Sequence, residues 1–137
     1  MDVCCLNRPF DEQMQERIHL EAEAVLLILA RCQNRDWQLL GSEAVDFEIS
    51  RIPDEERRRK VALLTSLAAS KVAVAEQVKR HAMEIENLGF RALDALHIAC
   101  AREGKADVLL TTDDEFLRKA EKHSKILNVR VGNPSLW

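Results

Sequence analysis

The stretch Leu93-Asp94-Ala95-Leu96-His97-Ile98-Ala99 and, after a short gap, the stretch Leu109-Leu110-Thr111-Thr112-Asp113 decide the fold class of this chain. Apolar residues of the first stretch recur at helical spacing and predict a helix from about Ala92 to Arg102, with Asp94 in its first turn. The second stretch follows a turn and predicts a buried strand over Asp107 to Thr111. One acid therefore lies near the start of a helix and another directly after a strand.

The rest of the chain predicts further short strands that alternate with helices. Trp37 to Leu40 is expected to form a strand, and Ser42 is expected to cap the helix that carries Glu48. The other expected helices run from about Asp11, as N-cap, to Arg31, from Pro53-Asp54 through Leu67, from Ala75 to Leu88 with Gly89 as its stop, and from a Thr112/Glu115 capping box to His123. The other expected extended segments are Val3 to Leu6, Lys71 to Val74 and Val129 to Val131. This alternation predicts an α/β fold in which a short parallel sheet lies between two helical layers.

Size and composition limit the classes of protein that this chain can belong to. Its 137 residues, 47% of them hydrophobic, suit a single domain over residues 1–137 with one core. No apolar run approaches the length of a membrane span, and Asp2 stands where a secretion signal needs basic residues. The cysteines show no metal-binding spacing, so we expect buried free thiols in a reducing cytoplasm: Cys4, Cys5, Cys32 and Cys100.

The net charge of −3 does not by itself indicate a nucleic-acid binder, and 4% aromatic residues argue against a base-stacking surface. Basic residues are nevertheless bunched at Arg51 and at Arg57 to Lys60, with a second cluster at Lys79 to His81. Such clusters are either a basic rim around an acidic centre or ordinary solvated helix faces.

Four acids fall near the carboxyl ends of the predicted strands, where open parallel sheets bind ligands: Asp2, Glu48, Asp94 and Asp113. Carboxylates that lie close together repel one another unless a divalent cation neutralises them. Magnesium prefers oxygen ligands, and two such ions can stabilise both oxygens of a phosphodiester cleavage. Each acid alone has a structural explanation, because Asp94 suits a helix dipole and Asp113 suits a helix cap. Only the set of four indicates a metal site.

The order of Asp2, Ser42 to Glu48, the helix Leu93 to Ala101 and the segment Leu109 to Phe116 resembles the PIN domain, in particular the VapC-like ribonucleases of prokaryotic toxin–antitoxin systems. The resemblance implies a three-layer α/β/α PIN-like domain that binds one or two Mg²⁺ or Mn²⁺ ions and cleaves RNA. It implies that Asp2, Glu48, Asp94 and Asp113 hold the metal and that Thr111 orients Asp113 or a water. It also implies an antitoxin protein as partner and a homodimer.

Some positions leave alternatives open within this resemblance. Glu43 and Asp114 are the competing acids if the alignment is shifted by a few residues, and His97 is expected to be a packed histidine. Asp2 follows Met1 directly, and Val3-Cys4 stands where the family usually has a polar pair. Either the chain starts further upstream, or the first strand is unusually short, in which case Asp2 is frayed and metal binding is weakened.

Two rival functions follow from other interpretations of the same residues. The first is a PIN-like domain that binds RNA or a partner protein without hydrolysing RNA. The second is a phosphoacceptor receiver domain, which also clusters acids at strand ends. A receiver domain would need Lys-Pro at the end of its last strand, and Val131-Gly132-Asn133 stands there instead. In the leading hypothesis, a basic rim that includes Arg8, Arg51 and Arg57 to Lys60 would contact RNA phosphates.

Overall fold

Helices and short strands alternate along the chain in a computed structural model that describes all residues from Met1 to Trp137. The helices are α1 (Val3–Asn7), α2 (Glu16–Gln33), α3 (Glu43–Ser50), α4 (Glu55–Thr65), α5 (Glu76–Glu86), α6 (Ala92–Glu103), α7 (Asp114–Lys122) and α8 (Ser124–Leu127). The strands are β1 (Leu39–Ser42), β2 (Ala68–Val72), β3 (Val108–Leu110) and β4 (Arg130–Gly132). None of the helices combines the length and the apolar character that crossing a membrane requires.

The strands form two separate parallel pairs. β1 pairs with β2, and β3 pairs with β4 with Leu109 opposite Val131. Parallel pairs need helical crossovers, and the helices between the strands supply them. The predicted α/β class with short parallel strands is confirmed. The expected central sheet, however, is divided, because no ladder joins β1 to β3.

Successive residues of β3 face opposite helical layers. Leu109 packs into a cluster that includes Ile98 of α6 and Phe116 of α7. Leu110 packs into a second cluster that includes Val25 of α2 and Leu39 of β1. Side chains of a strand alternate between its two faces, so each face meets a different set of helices. The strands therefore lie between helical layers, as in an α/β/α arrangement.

The first part of the chain differs from the sequence-based expectation. The apolar run after Asp2 is the helix α1, because the Asp2 carboxylate accepts a hydrogen bond from the Cys5 amide and caps a turn. The prediction of a strand there was wrong. α2 starts at Glu16 rather than at Asp11, because a short 3-10 helix over Arg8–Phe10 precedes it and Asp11 pairs with Arg57 instead.

Local capping signals were right at Ser42 and Gly89 and wrong at Asp11 and at Thr112/Glu115. The Ser42 hydroxyl accepts from the Val45 amide at 3.2 Å, the side chain of Asp54 caps α4, and Gly89 has a φ of 99°. The expected Thr112/Glu115 capping box does not form. Asp113 is the N-cap of α7.

Candidate functional site

The four acids singled out above come from four different elements, and their charges all act on one side chain. Asp2 precedes α1, Glu48 belongs to α3, Asp94 to α6, and Asp113 precedes α7. Desolvation, followed by the negative charges of these four carboxylates, raises the pKa of the Cys4 thiol to about 12. Since charge effects of this kind require proximity, the fold brings the four carboxylates to one end of the strands.

Asp2 is held firmly rather than frayed. Its residue is 3% exposed, its carboxylate accepts from the Cys5 amide at 2.9 Å, and its own amide donates to the Leu110 carbonyl at 3.0 Å. Burial raises the pKa of the Asp2 carboxyl, although hydrogen bonds from Thr111 and Cys5 oppose the shift. The expectation of a frayed Asp2 was wrong, because the helix cap and the bond to β3 fix its backbone.

Glu48 contacts His97, which the sequence analysis expected to be a packed histidine. The Glu48 Oε2 atom lies 2.7 Å from the His97 Nε2 atom. The His97 side chain is 3% exposed, whereas that of Glu48 is 28% exposed. His97 is therefore packed, as expected, but it also orients the Glu48 carboxylate. In this arrangement the other carboxylate oxygen of Glu48 remains available to a ligand.

Asp94 lies in the first turn of α6 and is partly buried. Its pKa is raised from 3.8 to about 6, first by desolvation and then by the charge of Asp113, with a smaller contribution from Asp2. Arg91 and His97 oppose this shift. Burial, with a smaller contribution from negative charge nearby, therefore makes the ionised form of Asp94 unfavourable in the absence of a cation.

Asp113 divides its two carboxylate oxygens between a helix cap and an ion pair. Its Oδ1 atom accepts from the amides of Glu115 at 2.8 Å and Phe116 at 3.0 Å. Its Oδ2 atom lies 3.6 Å from the guanidinium of Arg91. The Asp113 amide donates to the hydroxyl of Thr111, which is fully buried and also hydrogen-bonds Asp2. Thr111 therefore links two of the four acids.

The two competing acids are occupied elsewhere. Glu43 accepts from the Val74 amide at 2.7 Å, which ties α3 to the segment after β2. Asp114 forms a bidentate pair with Arg17 at 2.6 and 2.7 Å, on a side chain that is 63% exposed. These contacts hold both carboxylates in pairs outside the cluster, so the geometry favours Glu48 and Asp113 as members of the site.

The carboxylate oxygens are of the type that binds a divalent cation, although they are not arranged around a single metal position. No three His, Cys, Asp or Glu side chains are placed to hold a metal ion as they stand. The oxygens instead contact protein groups such as His97 and Arg91. Hard carboxylate oxygens are the ligands that Mg²⁺ prefers, and a cation would offset both the burial and the neighbouring charge of Asp113 that raise the pKa of Asp94. On the chemistry of its donors the cluster fits such an ion.

The basic residues near the acids are largely paired within the chain. Arg8 contacts Glu21 at 2.8 Å, Arg57 contacts Asp11 at 2.7 Å, and Arg59 and Lys60 pair with acids one turn earlier in α4. Arg51 makes no ion pair and lies over the ring of Phe47. Arg8, Arg57 and Asp113 nevertheless line one open groove beside the acids. The rim therefore exists in part, with much of its charge balanced internally.

Two contacts of the site escaped sequence reasoning. Arg91 contacts both Asp113 and Glu115. It precedes the α6 motif, and no sequence pattern around it predicts these contacts. The proximity of Cys4 to all four acids depends on α1, which the sequence did not predict. The closeness of His97 to Asp94 had a signal, because residues three apart on a helix share a face.

Comparison with known proteins gives one positive result. A family model described as PIN domain matches residues 14–122. No curated protein and no solved structure matches the chain. The matched segment contains Glu48, Asp94 and Asp113, whereas Asp2 lies outside it.

Proposed function

Because the chain belongs to the PIN domain family, a family of nucleases, we propose that it is a Mg²⁺- or Mn²⁺-dependent endoribonuclease that hydrolyses RNA phosphodiester bonds. The observation that carries this proposal is the convergence of Asp2, Glu48, Asp94 and Asp113 on Cys4. The family match supplies the class of reaction.

Each acid has a distinct part in this proposal. Asp2, Glu48, Asp94 and Asp113 would hold the metal, which when bound supplies positive charge at the phosphate and lowers the pKa of a water. Asp2 is set in place by its cap and by Thr111, and Glu48 is oriented by His97. Both contacts fix ligand oxygens before binding, which lowers the entropy lost when an ion is held.

Asp94 makes metal binding compete with protons. Its pKa of about 6 means that the metal-free protein carries a proton there in mildly acidic solution. Because a carboxylate must lose its proton to bind a cation, the affinity for metal should fall as the pH drops below about 6. The same crowding favours an incoming cation at neutral pH, since the ion removes the repulsion.

The partners follow from the family resemblance and from the surface. RNA phosphates would contact the groove beside Asp113 that Arg8 and Arg57 line, so binding should weaken as salt increases. Leu20 and Leu27 are 51% and 60% exposed, and residues seven apart lie on one face of α2. This face supports a homodimer. An antitoxin protein is proposed as the natural inhibitor, and the free thiols suit a cytoplasmic enzyme.

The direct test compares the wild type with Asp94→Asn on a mixed RNA pool in magnesium. Asp94→Asn keeps the size of the side chain and removes its charge, so cleavage should fall at least about 100-fold. Glu84→Gln is the matched control, because Glu84 is exposed on α5 and makes no ion pair. The proposal is wrong if the wild type cuts no faster than Asp94→Asn, or if chelation of magnesium leaves cleavage unchanged.

A second candidate is a PIN domain that binds RNA or a partner protein without hydrolysis. Two contacts favour it, because His97 engages Glu48 and Arg91 lies near Asp113, where each competes with a cation. Calorimetric titration with Mn²⁺ separates the candidates. A saturable site that Asp94→Asn abolishes supports the nuclease, whereas no heat of binding in the wild type supports the binding-only domain.

A further inference from the structure

A groove of about 460 Å³ opens beside the proposed metal site, and two arginines line it. Arg8 comes from the short 3-10 helix after α1, and Arg57 comes from the first turn of α4. Thr112 and Asp113 line the same groove. Because guanidinium groups present fixed N–H donors that match the oxygens of a phosphate, the groove is suited to a phosphate group next to Asp113.

The carboxylate of Asp11 lies between these two guanidinium groups. Its Oδ1 atom lies 2.7 Å from the Nη1 atom of Arg57, and its Oδ2 atom lies 3.2 Å from the Nη1 atom of Arg8. A phosphodiester carries the same single negative charge and also has two free oxygens, and arginine binds both kinds of anion with paired N–H donors. Asp11 therefore occupies the place that a phosphate would take between the two arginines.

Both arginines have anchors other than Asp11. The Nε atom of Arg8 lies 2.8 Å from the Oε2 atom of Glu21, whose side chain is 1% exposed. The Nη2 atom of Arg57 donates to the carbonyl oxygen of Phe10 at 2.6 Å. These contacts keep the guanidinium groups in the groove whether or not Asp11 bridges them. The Asp11 side chain is 30% exposed, so it has room to turn towards solvent.

The charges of the two guanidinium groups explain why the free protein keeps this contact. Two positive charges held in one groove repel each other, and an anion between them removes that repulsion. Asp11 supplies this anion when RNA is absent, and a phosphate would supply it when RNA is bound. Because one anion replaces another, the groove should bind a phosphate less tightly than the same two arginines would without Asp11.

We propose that Arg8 and Arg57 form a subsite for the RNA phosphate next to the one that is cleaved, and that Asp11 occupies this subsite until the phosphate displaces it. The inference rests on the proposed RNA substrate, but it concerns binding rather than hydrolysis. Asp11 then limits the affinity for RNA, because the phosphate contact forms only when an ion pair within the chain is broken.

The test measures binding of a fluorescent oligoribonucleotide of about ten mixed nucleotides to the full chain in EDTA, which prevents metal-dependent cleavage. Asp11→Asn keeps the size of the side chain and removes its charge, so this RNA should bind at least about fivefold more tightly at low salt. The gain should shrink as salt increases, because salt screens the charges. Glu12→Gln is the matched control, since it removes the same charge from the neighbouring, exposed residue and should leave the affinity nearly unchanged.

Further substitutions locate the gain in the groove. Asp11→Ser, a smaller neutral replacement, should give the same gain as Asp11→Asn, and thermal unfolding checks that each variant is folded. Addition of Arg57→Gln to Asp11→Asn should remove the gain, because one of the two guanidinium groups is then missing.

Three results would overturn the proposal. The first is that neither neutral replacement of Asp11 binds the oligoribonucleotide more tightly than Glu12→Gln does. The second is a gain that persists after Arg57→Gln is added. The third is an equal gain for a polyglutamate peptide, which would show that the groove accepts any anion and is not a subsite for phosphate.

A cleavage assay in magnesium separates the failure of this inference from the failure of the proposed nuclease. If the wild type cleaves RNA but Asp11→Asn binds RNA no more tightly than the control, the subsite is wrong and the nuclease is not. If Asp11→Asn binds RNA more tightly but the wild type does not cleave it, the nuclease is wrong and the subsite is supported.

Discussion

The replacement Asp94→Asn should stabilise the metal-free protein at pH 8 even though it removes the proposed activity. The pKa of Asp94 is raised from 3.8 to about 6, so the folded state holds its proton more tightly than the unfolded state does. Below pH 3.8 the group is protonated in both states and has no effect on stability. Stability is lost as the pH rises from 3.8 to about 6, and above this range the full destabilisation is present.

The size of the effect follows from the same shift. The interval from 3.8 to about 6 corresponds to about 3 kcal/mol at 1.36 kcal/mol per pKa unit. Asp94 is only partly buried, and solvent screening lowers this to about 1–2 kcal/mol. Loss of a negative charge from the first turn of α6 removes about 0.3–1 kcal/mol of favourable helix-dipole energy. A net gain of about 1 kcal/mol remains, or a rise in Tm of roughly 3–5 °C.

The assay is thermal unfolding in EDTA at pH 8 and at pH 4, with Glu84→Gln as the control for removing an exposed charge. The gain should be present at pH 8 and almost absent at pH 4. Addition of magnesium at pH 8 should raise the Tm of the wild type and not that of Asp94→Asn. A variant that is less stable than the wild type at pH 8, or equally stabilised at both pH values, would refute the view that the ionised, partly buried Asp94 carboxylate destabilises the metal-free site.

The other predictions concern groups around the site and in the core. His97→Ala should lower the free energy of unfolding by about 2–4 kcal/mol, because it leaves a cavity and removes the partner of Glu48, and an unchanged urea midpoint would contradict this. Asp113→Asn should keep the cap of α7 and leave the Tm nearly unchanged, Asp113→Ala should lose about 1 kcal/mol, and both should lose magnesium-dependent cleavage; equal losses of Tm would refute the capping role. Glu21→Gln should cost about 3 kcal/mol in guanidinium unfolding, because Glu21 is 1% exposed and neutralises Arg8 and Arg17, whereas Glu12→Gln on the surface should have no effect.

The N-terminal segment shows how a short apolar run can mislead. Val3 to Leu6 has too few residues for its periodicity to separate a strand from a helix. Asp2 decides the matter by accepting the Cys5 amide, and this cap signal lies in the sequence. The expected strand was therefore wrong, and the segment is the helix α1.

The α7 start shows a similar limit. Thr112 and Glu115 have the spacing of a capping box, and Asp113 is an equally good N-cap residue by type. The buried Thr111 hydroxyl accepts the Asp113 amide, and Arg91 draws Glu115 away from the helix start. The sequence around the start of α7 therefore fits a Thr112/Glu115 capping box and an Asp113 cap equally well. The contact with Arg91, which lies outside this local pattern, favours the Asp113 cap.

The sequence by itself determined the α/β class, most helices and strands, and the cap at Ser42. These features depend on periodicity and on hydrogen bonds between residues a few positions apart, which are present in any local window. Only the tertiary structure decided that Glu48 meets His97, that Asp94 has a raised pKa, and that the strands form two separate pairs. These depend on burial and on charges from distant segments, which act only once the chain has packed.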